Sequence, residues 1–243
     1  MKNLEKEIEK RVEFICELLK SSKSNGIVFG NSGGKDSVLV GILCKMACDN
    51  TKGVIMPCGS TRNFNEDTKD ALEVAKQFSI ETKNVDLSRI KDMLVASLGE
   101  CTSLTDASAA NIAPRLRMTT LYAIAASENL LVAGTGNKSE LHMGYFTKWG
   151  DGAYDFNPIA DLTVTEIYEF LRFLKVPAQI IEKAPSGGLF DGQTDEEEMG
   201  ITYDKIDDYI LNGIATQKDK ELIDRFHQKS KHKRCAPIQY NDE

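Results

Sequence analysis

Short apolar runs alternate with amphipathic segments along most of the chain. Four short runs, most of them apolar, are predicted to be strands: 27–30, 53–56, 83–85 and 130–133. Between them, apolar residues recur at helical spacing over residues 37–47, 66–78, 88–98 and 114–128, with Ser88 as the expected N-cap of the third helix. This alternation predicts a single α/β domain over residues 1–243, with a doubly wound parallel sheet flanked by helices.

The segments on either side of this region have their own patterns. Residues 1–25 alternate Glu and Lys around an apolar stripe, which is typical of an amphipathic helix rather than a signal peptide. Residues 163–174 predict another amphipathic helix. Residues 184–200 contain four glycines and an acidic run, which predicts a mobile lid loop, although the acidic run is equally suited to begin the next helix. Two helices and a basic patch follow from residue 203.

Composition narrows the classes of protein. The 243 residues carry a net charge of −7, which argues against a nucleic-acid partner. No apolar run approaches the roughly 20 residues that span a membrane, so we expect no membrane partner and a cytoplasmic location. Six cysteines without a C-x-x-C pair and only three histidines favour reduced structural thiols over a zinc site.

The segment from residue 27 to 37, Ile-Val-Phe-Gly-Asn-Ser-Gly-Gly-Lys-Asp-Ser, predicts a strand, a turn and a helix start. Gly33 and Gly34 allow a sharp turn and a close approach of the backbone to a ligand. Amides at the helix N-terminus, with the hydroxyls of Ser32 and Ser37, would bind an anion. We therefore predict a phosphate-binding loop.

The type of loop follows from its acidic residue. A Walker loop fails because Asp36 follows Lys35 and Phe29 occupies the place of the first glycine, and the spacing of a dinucleotide-binding motif fails as well. A carboxylate next to phosphates is repulsive unless a cation lies between them, so Asp36 predicts Mg²⁺. The alternative is a glycine turn with Asp36 as a helix cap.

Ser-Gly-Gly-x-Asp-Ser resembles the loop of ATP pyrophosphatases, which cleave ATP between its α and β phosphates. Together with residues 111–122, 130–141, 144–158 and 192–204 and the late His-Lys-Arg, it resembles the NAD synthetase family from about residue 26 onward. The resemblance implies an adenine nucleotide alpha hydrolase-like fold. It also implies ATP-dependent amidation of nicotinic acid adenine dinucleotide (deamido-NAD) to NAD with ammonia, through an adenylated intermediate, with release of AMP and pyrophosphate.

The resemblance also assigns roles to residues. Catalysis would depend on Asp36, Glu140 and Lys148, with Mg²⁺ held by Asp36 and Glu140. ATP would contact Gly30, Asn31, Ser32, Gly33, Gly34, Lys35, Asp36, Ser37, Thr135 and Ser186. Deamido-NAD would contact Arg115, Lys148, Asp155, His232 and Lys233. Many relatives carry an ATP-binding lysine where this chain has Thr163 and Val164, so either the alignment shifts here or another cation such as Lys35 compensates.

Each role has a plain structural alternative. Glu140 would be an exposed acid in the first turn of a helix, Arg115, Lys148 and Asp155 would form surface ion pairs, and the pair His232 and Lys233 would be a solvated basic tail. Relatives are generally homodimers; residues 114–128 and 163–174 offer apolar surface for this, although core packing accounts for it equally well.

Two other functions stay open at this point. One is an RNA-modifying enzyme with a related loop, and the other is a nucleotide-binding regulatory protein without turnover. The net negative charge argues against the RNA-modifying enzyme. The presence of Asp36, Glu140 and Lys148 argues against the regulatory protein without turnover. About 25 residues precede the first strand, too few for an amidase domain, so we expect free ammonia or ammonia from a separate protein as the nitrogen source.

Overall fold

The computed structural model describes residues 3–59, 66–183 and 194–240. Four parallel strands form one sheet in the order β3-β2-β1-β4. They are β1 (Gly26–Gly30), β2 (Thr51–Ile55), β3 (Glu81–Asn84) and β4 (Leu130–Ala133). In the register of the sheet, Ile27 pairs with Thr51 on one side and with Leu131 on the other. The predicted doubly wound parallel sheet is confirmed.

Helices cover both faces of the sheet and extend into a C-terminal layer. Those of ten residues or more are α1 (Leu4–Ser22), α2 (Lys35–Ala47), α3 (Thr68–Gln77), α4 (Ser88–Gly99), α6 (Ile112–Glu128), α8 (Val164–Phe173), α11 (Tyr203–Asn212) and α12 (Gln217–Lys229). Shorter ones are α5 (Asp106–Ala110), α7 (Lys138–Met143), α9 (Ala178–Glu182) and α10 (Asp195–Met199). No helix within the described ranges is long and apolar enough to cross a membrane.

The central strand β1 is buried on both faces, as expected of a covered parallel sheet. Ile27 and Phe29 pack with α1, α2 and α8, whereas Val28 faces α6 on the opposite side. Successive side chains of a strand point to opposite faces, so one apolar run supplies both cores. A third cluster joins α7, α8, α10, α11 and α12.

The strand order places β1 beside β4, although β2 and β3 lie between them in the sequence. The winding of the sheet therefore reverses between β1 and β4, and ligands of open α/β sheets bind at the carboxyl ends of strands at such a point. Here the loop after β1 and the loop after β4 come together.

Most predicted elements are confirmed, with shifts of a few residues at their ends. One capping prediction is wrong: Leu87 occupies the N-cap position of α4, and the Ser88 hydroxyl instead accepts a hydrogen bond from the Gly59 N–H. The four short helices were not predicted as such, although the acidic run does begin α10, capped by Thr194. The rest of the predicted lid loop, 184–193, lies outside the described residues.

Candidate active site

The segment after β1 turns sharply against the start of α3. Gly33 has φ +74°, and a Cβ there would lie 2.4 Å from the carbonyl oxygen of Asp67, so only glycine fits. Asn31 supports the turn: its amide Nδ2 donates to the Ala71 carbonyl (3.3 Å), and its Oδ1 accepts from the Gly33 N–H (3.4 Å). The loop is therefore attached to α3 without any ligand.

The N-terminus of α2 completes the loop. The Ser32 hydroxyl accepts a hydrogen bond from the Gly34 N–H (3.3 Å) and lies 3.0 Å from the Ser37 hydroxyl. Gly34 occupies the N-cap position and supplies no side-chain cap. The amides of an uncapped first helical turn are donors at the positive end of the helix dipole, which suits phosphate oxygens.

Asn137 joins this loop to the loop after β4. Its side chain is fully buried; its Nδ2 donates to Asp36 Oδ1 (3.0 Å), and its Oδ1 accepts from the Glu140 N–H (2.9 Å). The Glu140 carboxylate in turn accepts from the Asn137 N–H (3.1 Å), which completes a capping box at the start of α7. Asn137 thus contacts both carboxylates that the sequence assigns to the metal: its side-chain amide bonds to Asp36 and its backbone N–H to Glu140.

The two carboxylates are electrostatically coupled. Burial and the negative charge of Asp36 raise the pKa of Glu140 well above its usual value, against the opposing effect of Lys35. The Lys35 ammonium is buried and donates to Asp36 Oδ2 (2.8 Å). Burial alone would lower the pKa of Lys35, but Asp36 and Glu140 raise it instead. Two close acids share one buried cation, an arrangement with an excess of negative charge.

A cavity of about 650 Å³ opens from this edge of the sheet toward the C-terminal helices. Eleven residues that the sequence assigns to the site line it: Gly30, Asn31, Ser32, Gly34, Lys35, Asp36, Ser37, Thr135, Glu140, His232 and Lys233. Gly33 shapes the loop from behind without lining the cavity. Ser186 lies outside the described residues.

Three predicted substrate contacts, Arg115, Lys148 and Asp155, are not among the described residues that line the cavity. Arg115 and Lys148 lie beside residues that do, at the outer rim of the cavity. Arg115 is exposed and donates to the Lys148 carbonyl (3.3 Å), and the Lys148 ammonium donates to the His232 carbonyl (2.7 Å). Asp155 accepts from the Val132 N–H (2.8 Å) and from the Tyr122 hydroxyl (3.2 Å). Within the described part of the chain, none of the three forms the surface ion pair that was their alternative interpretation. The Asp155 carboxylate instead bonds to the backbone of β4.

The basic tail is folded back onto the body of the protein. A short 3₁₀ helix, Lys231–Lys233, follows α12. The Lys233 ammonium donates to the carbonyls of Gly144 (2.7 Å) and Phe146 (2.6 Å), and burial lowers its pKa. Lys233 is therefore not part of a solvated tail.

Several polar residues of the site were not predicted from the sequence, among them Asn137, Arg117 and Asp151. Arg117 donates to the Met56 carbonyl (3.0 Å) and lines the cavity. Asp151 also lines it and accepts from the Thr147 N–H (2.9 Å), and burial raises its pKa. Asn137 had a sequence signal, the Asn-x-x-Glu spacing of a capping box; Arg117 and Asp151 had none beyond the motifs that contain them.

The site combines an anion-binding loop, two adjacent carboxylates and the buried ammonium of Lys35. An uncapped helix start suits phosphate, and oxygen ligands suit a hard divalent cation. No group of three or more potential metal ligands is present in the described part of the chain. A cation here would take the two carboxylates of Asp36 and Glu140 and complete its shell from elsewhere, as Mg²⁺ does with phosphates and water.

Comparison with known proteins decides the family. The family model described as NAD synthase matches residues 7–237. The chain belongs to the NAD synthase family. The NH₃-dependent NAD⁺ synthetase of Carboxydothermus hydrogenoformans is 46% identical over 97% of both chains. The NH₃-dependent NAD synthetase of Campylobacter jejuni has a TM-score of 0.81 at 33% identity, covering 99% of this chain and 100% of the other. The NMN synthetase of Francisella tularensis has a TM-score of 0.93 at 35% identity, with the same coverage.

Membership of the NAD synthase family confirms the resemblance drawn from the motifs. ATP is a substrate of NAD synthetases. The family also favours a ligase over the RNA-modifying alternative.

Proposed function

We propose that the protein is an ammonia-dependent ligase that converts deamido-NAD to NAD. The nicotinate carboxylate oxygen attacks the α-phosphorus of ATP, and the bond to pyrophosphate breaks. Ammonia then attacks the carbonyl carbon of the adenylate, the bond to AMP breaks, and a proton is released. The observation that carries the proposal is the phosphate loop of a NAD synthase in which Asp36 faces Glu140 at the sheet edge.

The phosphate loop, residues 30–37, would bind the polyphosphate of ATP. Its backbone amides and hydroxyls would stabilise the charge on the departing pyrophosphate, and Lys35 would balance part of that charge. Thr135 would contact ATP from the loop after β4, and we keep Ser186 as a proposed ATP contact. Positioning and charge neutralisation, rather than proton transfer, account for this step.

We also propose that Asp36 and Glu140 hold Mg²⁺. Their oxygens are the ligands that this ion prefers. Burial and the negative charge of Asp36 raise the pKa of Glu140, and a divalent cation would offset both effects. When bound, Mg²⁺ supplies charge neutralisation to the phosphates. Asn137 keeps both carboxylates in place, as a residue behind the ligands does in other metal sites.

Deamido-NAD would bind at the outer rim, with its nicotinate end inside the cavity. Arg115, Lys148, His232 and Lys233 would face its pyrophosphate, because Arg115, Lys148 and Lys233 concentrate positive charge there. Hydrogen bonds to carbonyls hold those three cations in place without neutralising them. Asp155 is the predicted contact with the least structural support, since both of its carboxylate oxygens already accept hydrogen bonds.

Two further proposals concern assembly and location. A homodimer is supported by α4, in which Ile90, Met93 and Leu94 are exposed and no residue is buried; α8 is a poorer candidate, because it buries its apolar face in the core. Six free cysteines favour a reducing compartment, which supports the cytoplasm.

The test of the proposed function is AMP release from ATP by the purified protein. We expect AMP only when deamido-NAD and ammonium are both present, together with NAD in equal amount. Dependence on tRNA, or ATP binding with no AMP formed under these conditions, would contradict the proposal.

A second candidate substrate is the corresponding mononucleotide, nicotinic acid mononucleotide. The TM-score of 0.93 to an NMN synthetase favours it. The same assay distinguishes the two candidates, because the ratio of kcat/KM for the two acids measures which one the site prefers.

A further inference from the structure

Trp149, the only tryptophan of the chain, stands at the rim in an uncommon conformation. Its φ is +62°, in the left-handed region that bulky residues rarely adopt and that persists where surrounding structure imposes it. Its side chain is 51% exposed. A large aromatic surface is thus held open to solvent by a strained backbone.

The neighbouring residues fix this conformation. The preceding carbonyl, that of Lys148, accepts from Arg115. The Gly150 N–H bonds to the Thr147 carbonyl (2.9 Å), and a Cβ on Gly150 would lie 2.9 Å from Pro114 Cβ. Gly150 packs tightly against α6, and hydrogen bonds hold the backbone on both sides of Trp149. The backbone conformation of Trp149 is therefore restricted.

The Trp149 ring lies next to a cation at the rim of the cavity. The Lys148 ammonium lies 5.3 Å from the centre of the Trp149 ring and also donates to the His232 carbonyl. Thr147 and Gly150 line the cavity, whereas Lys148 and Trp149 are not among the described residues that line it. Residues 147–150 thus contribute Thr147 and Gly150 to the cavity wall, while Trp149 lies outside the cavity.

The proposed reaction sets the direction of the substrate. The nicotinate carboxylate must reach the α-phosphate of ATP at the loop after β1, inside the cavity. The far end of a dinucleotide must then leave the cavity at the rim, beyond the cations that bind its pyrophosphate. That end carries a second aromatic base, adenine, which a mononucleotide lacks.

We propose that Trp149 is the stacking platform for the adenine of deamido-NAD, and that it selects the dinucleotide over the mononucleotide. The inference rests on the proposed function. Nucleobases stack on exposed aromatic side chains, and a ring beside a lysine offers both a flat surface and a nearby positive charge. Trp149 is thus a specificity residue distant from the reacting atoms.

The test compares Trp149→Ala and Trp149→Phe with Phe173→Ala, a control in α8 that removes another aromatic ring, 49% exposed. For Trp149→Ala we expect KM for deamido-NAD to rise about tenfold with little change in kcat, from the loss of one stacked base. KM for nicotinic acid mononucleotide should stay unchanged. Trp149→Phe should restore most of the affinity, and the control should match the wild type.

The single tryptophan gives a second readout that does not depend on turnover or on a variant that folds. Deamido-NAD should change the tryptophan fluorescence of the wild-type protein at saturation, and nicotinic acid mononucleotide should not. An unchanged KM, an equal rise for both acids, or a change of oligomeric state without a fluorescence response would overturn the role of Trp149. Absence of wild-type turnover with deamido-NAD would instead contradict the proposed function.

Discussion

The two ends of the proposed site are built in different ways. At the sheet edge, Asp36, Asn137 and Glu140 are held by one another through side-chain and capping hydrogen bonds. At the rim, the cationic heads of Arg115 and Lys148 bond to backbone carbonyls, and Arg115 is exposed while Lys148 is partly exposed. A pre-organised edge favours chemistry, because little reorganisation is needed when charge develops. An open rim favours exchange of a large substrate.

Removal of the Asp36 carboxylate at the sheet edge should have the largest effect on activity. Asp36→Ala and Asp36→Asn should reduce AMP formation by about a thousandfold or more, because the phosphate charge loses its neutralisation. Circular dichroism should show an intact fold. The control is Asp49→Asn, an acid beyond the end of α2 whose side chain is fully exposed. Full activity of Asp36→Asn would remove this residue from the metal site.

The second prediction tests whether the edge is held in place by Asn137. Asn137→Ala should lower kcat by about 10- to 100-fold, as for other residues that position metal ligands, and raise the Mg²⁺ concentration needed for half-maximal rate.

The matched control for Asn137 is Thr163→Ala, which removes the equally buried capping box of α8. Both variants should lose about 1 kcal/mol of unfolding free energy from the lost cap, but only Asn137→Ala should change the Mg²⁺ dependence. The same Mg²⁺ dependence in both variants would make Asn137 an ordinary cap.

The edge and the rim also differ in how far sequence could predict them. Apolar runs predicted β1, β2 and β4, and a glycine turn with an acidic residue after β1 indicated the loop, since these depend on local sequence. The polar strand β3 (Glu81–Asn84) was predicted two residues late, at 83–85. Short helices such as α7 span fewer than two turns and have little periodicity to detect. The partner of Lys233, the backbone of its own chain near Gly144, depends on tertiary packing that no local pattern encodes.

The third prediction concerns the rim. Lys148→Met should raise KM for deamido-NAD about tenfold through loss of one charge-assisted contact, with KM for ATP unchanged. The control is Lys45→Met, because Lys45 also donates to a backbone carbonyl, that of Asp49 (2.9 Å). A rise in KM for ATP as well would place Lys148 at the catalytic edge and remove the distinction between the two regions.

The smallest effect is on stability and depends on pH. His142 in α7 stacks on His227 of α12 at 4.3 Å between ring centres. Burial, with the neighbouring His227 and Arg234, lowers the pKa of His142 from 6.5 to about 4, against the effect of Asp224. Between these pH values the unfolded chain binds the proton and the folded chain does not. The contribution of neutral His142 to the free energy of unfolding is therefore complete above about pH 6.5 and is lost as the pH falls toward about 4.

Thermal unfolding checks this prediction. The Tm should fall by several degrees between pH 7 and pH 5, and the fall should be smaller in His142→Asn. An equal fall in both proteins would show that other groups cause it, and that the attachment of α7 to the C-terminal helices does not depend on a neutral His142.

The most direct test of the whole account is exchange of labelled pyrophosphate into ATP. Adenylation at the sheet edge is reversible before ammonia arrives, so the wild-type protein with Mg²⁺ and deamido-NAD should incorporate labelled pyrophosphate into ATP in the absence of ammonium. The exchange should vanish without deamido-NAD and in Asp36→Asn. Formation of ADP instead of AMP, or exchange that does not need deamido-NAD, would contradict an edge that activates the nicotinate carboxylate by adenylation.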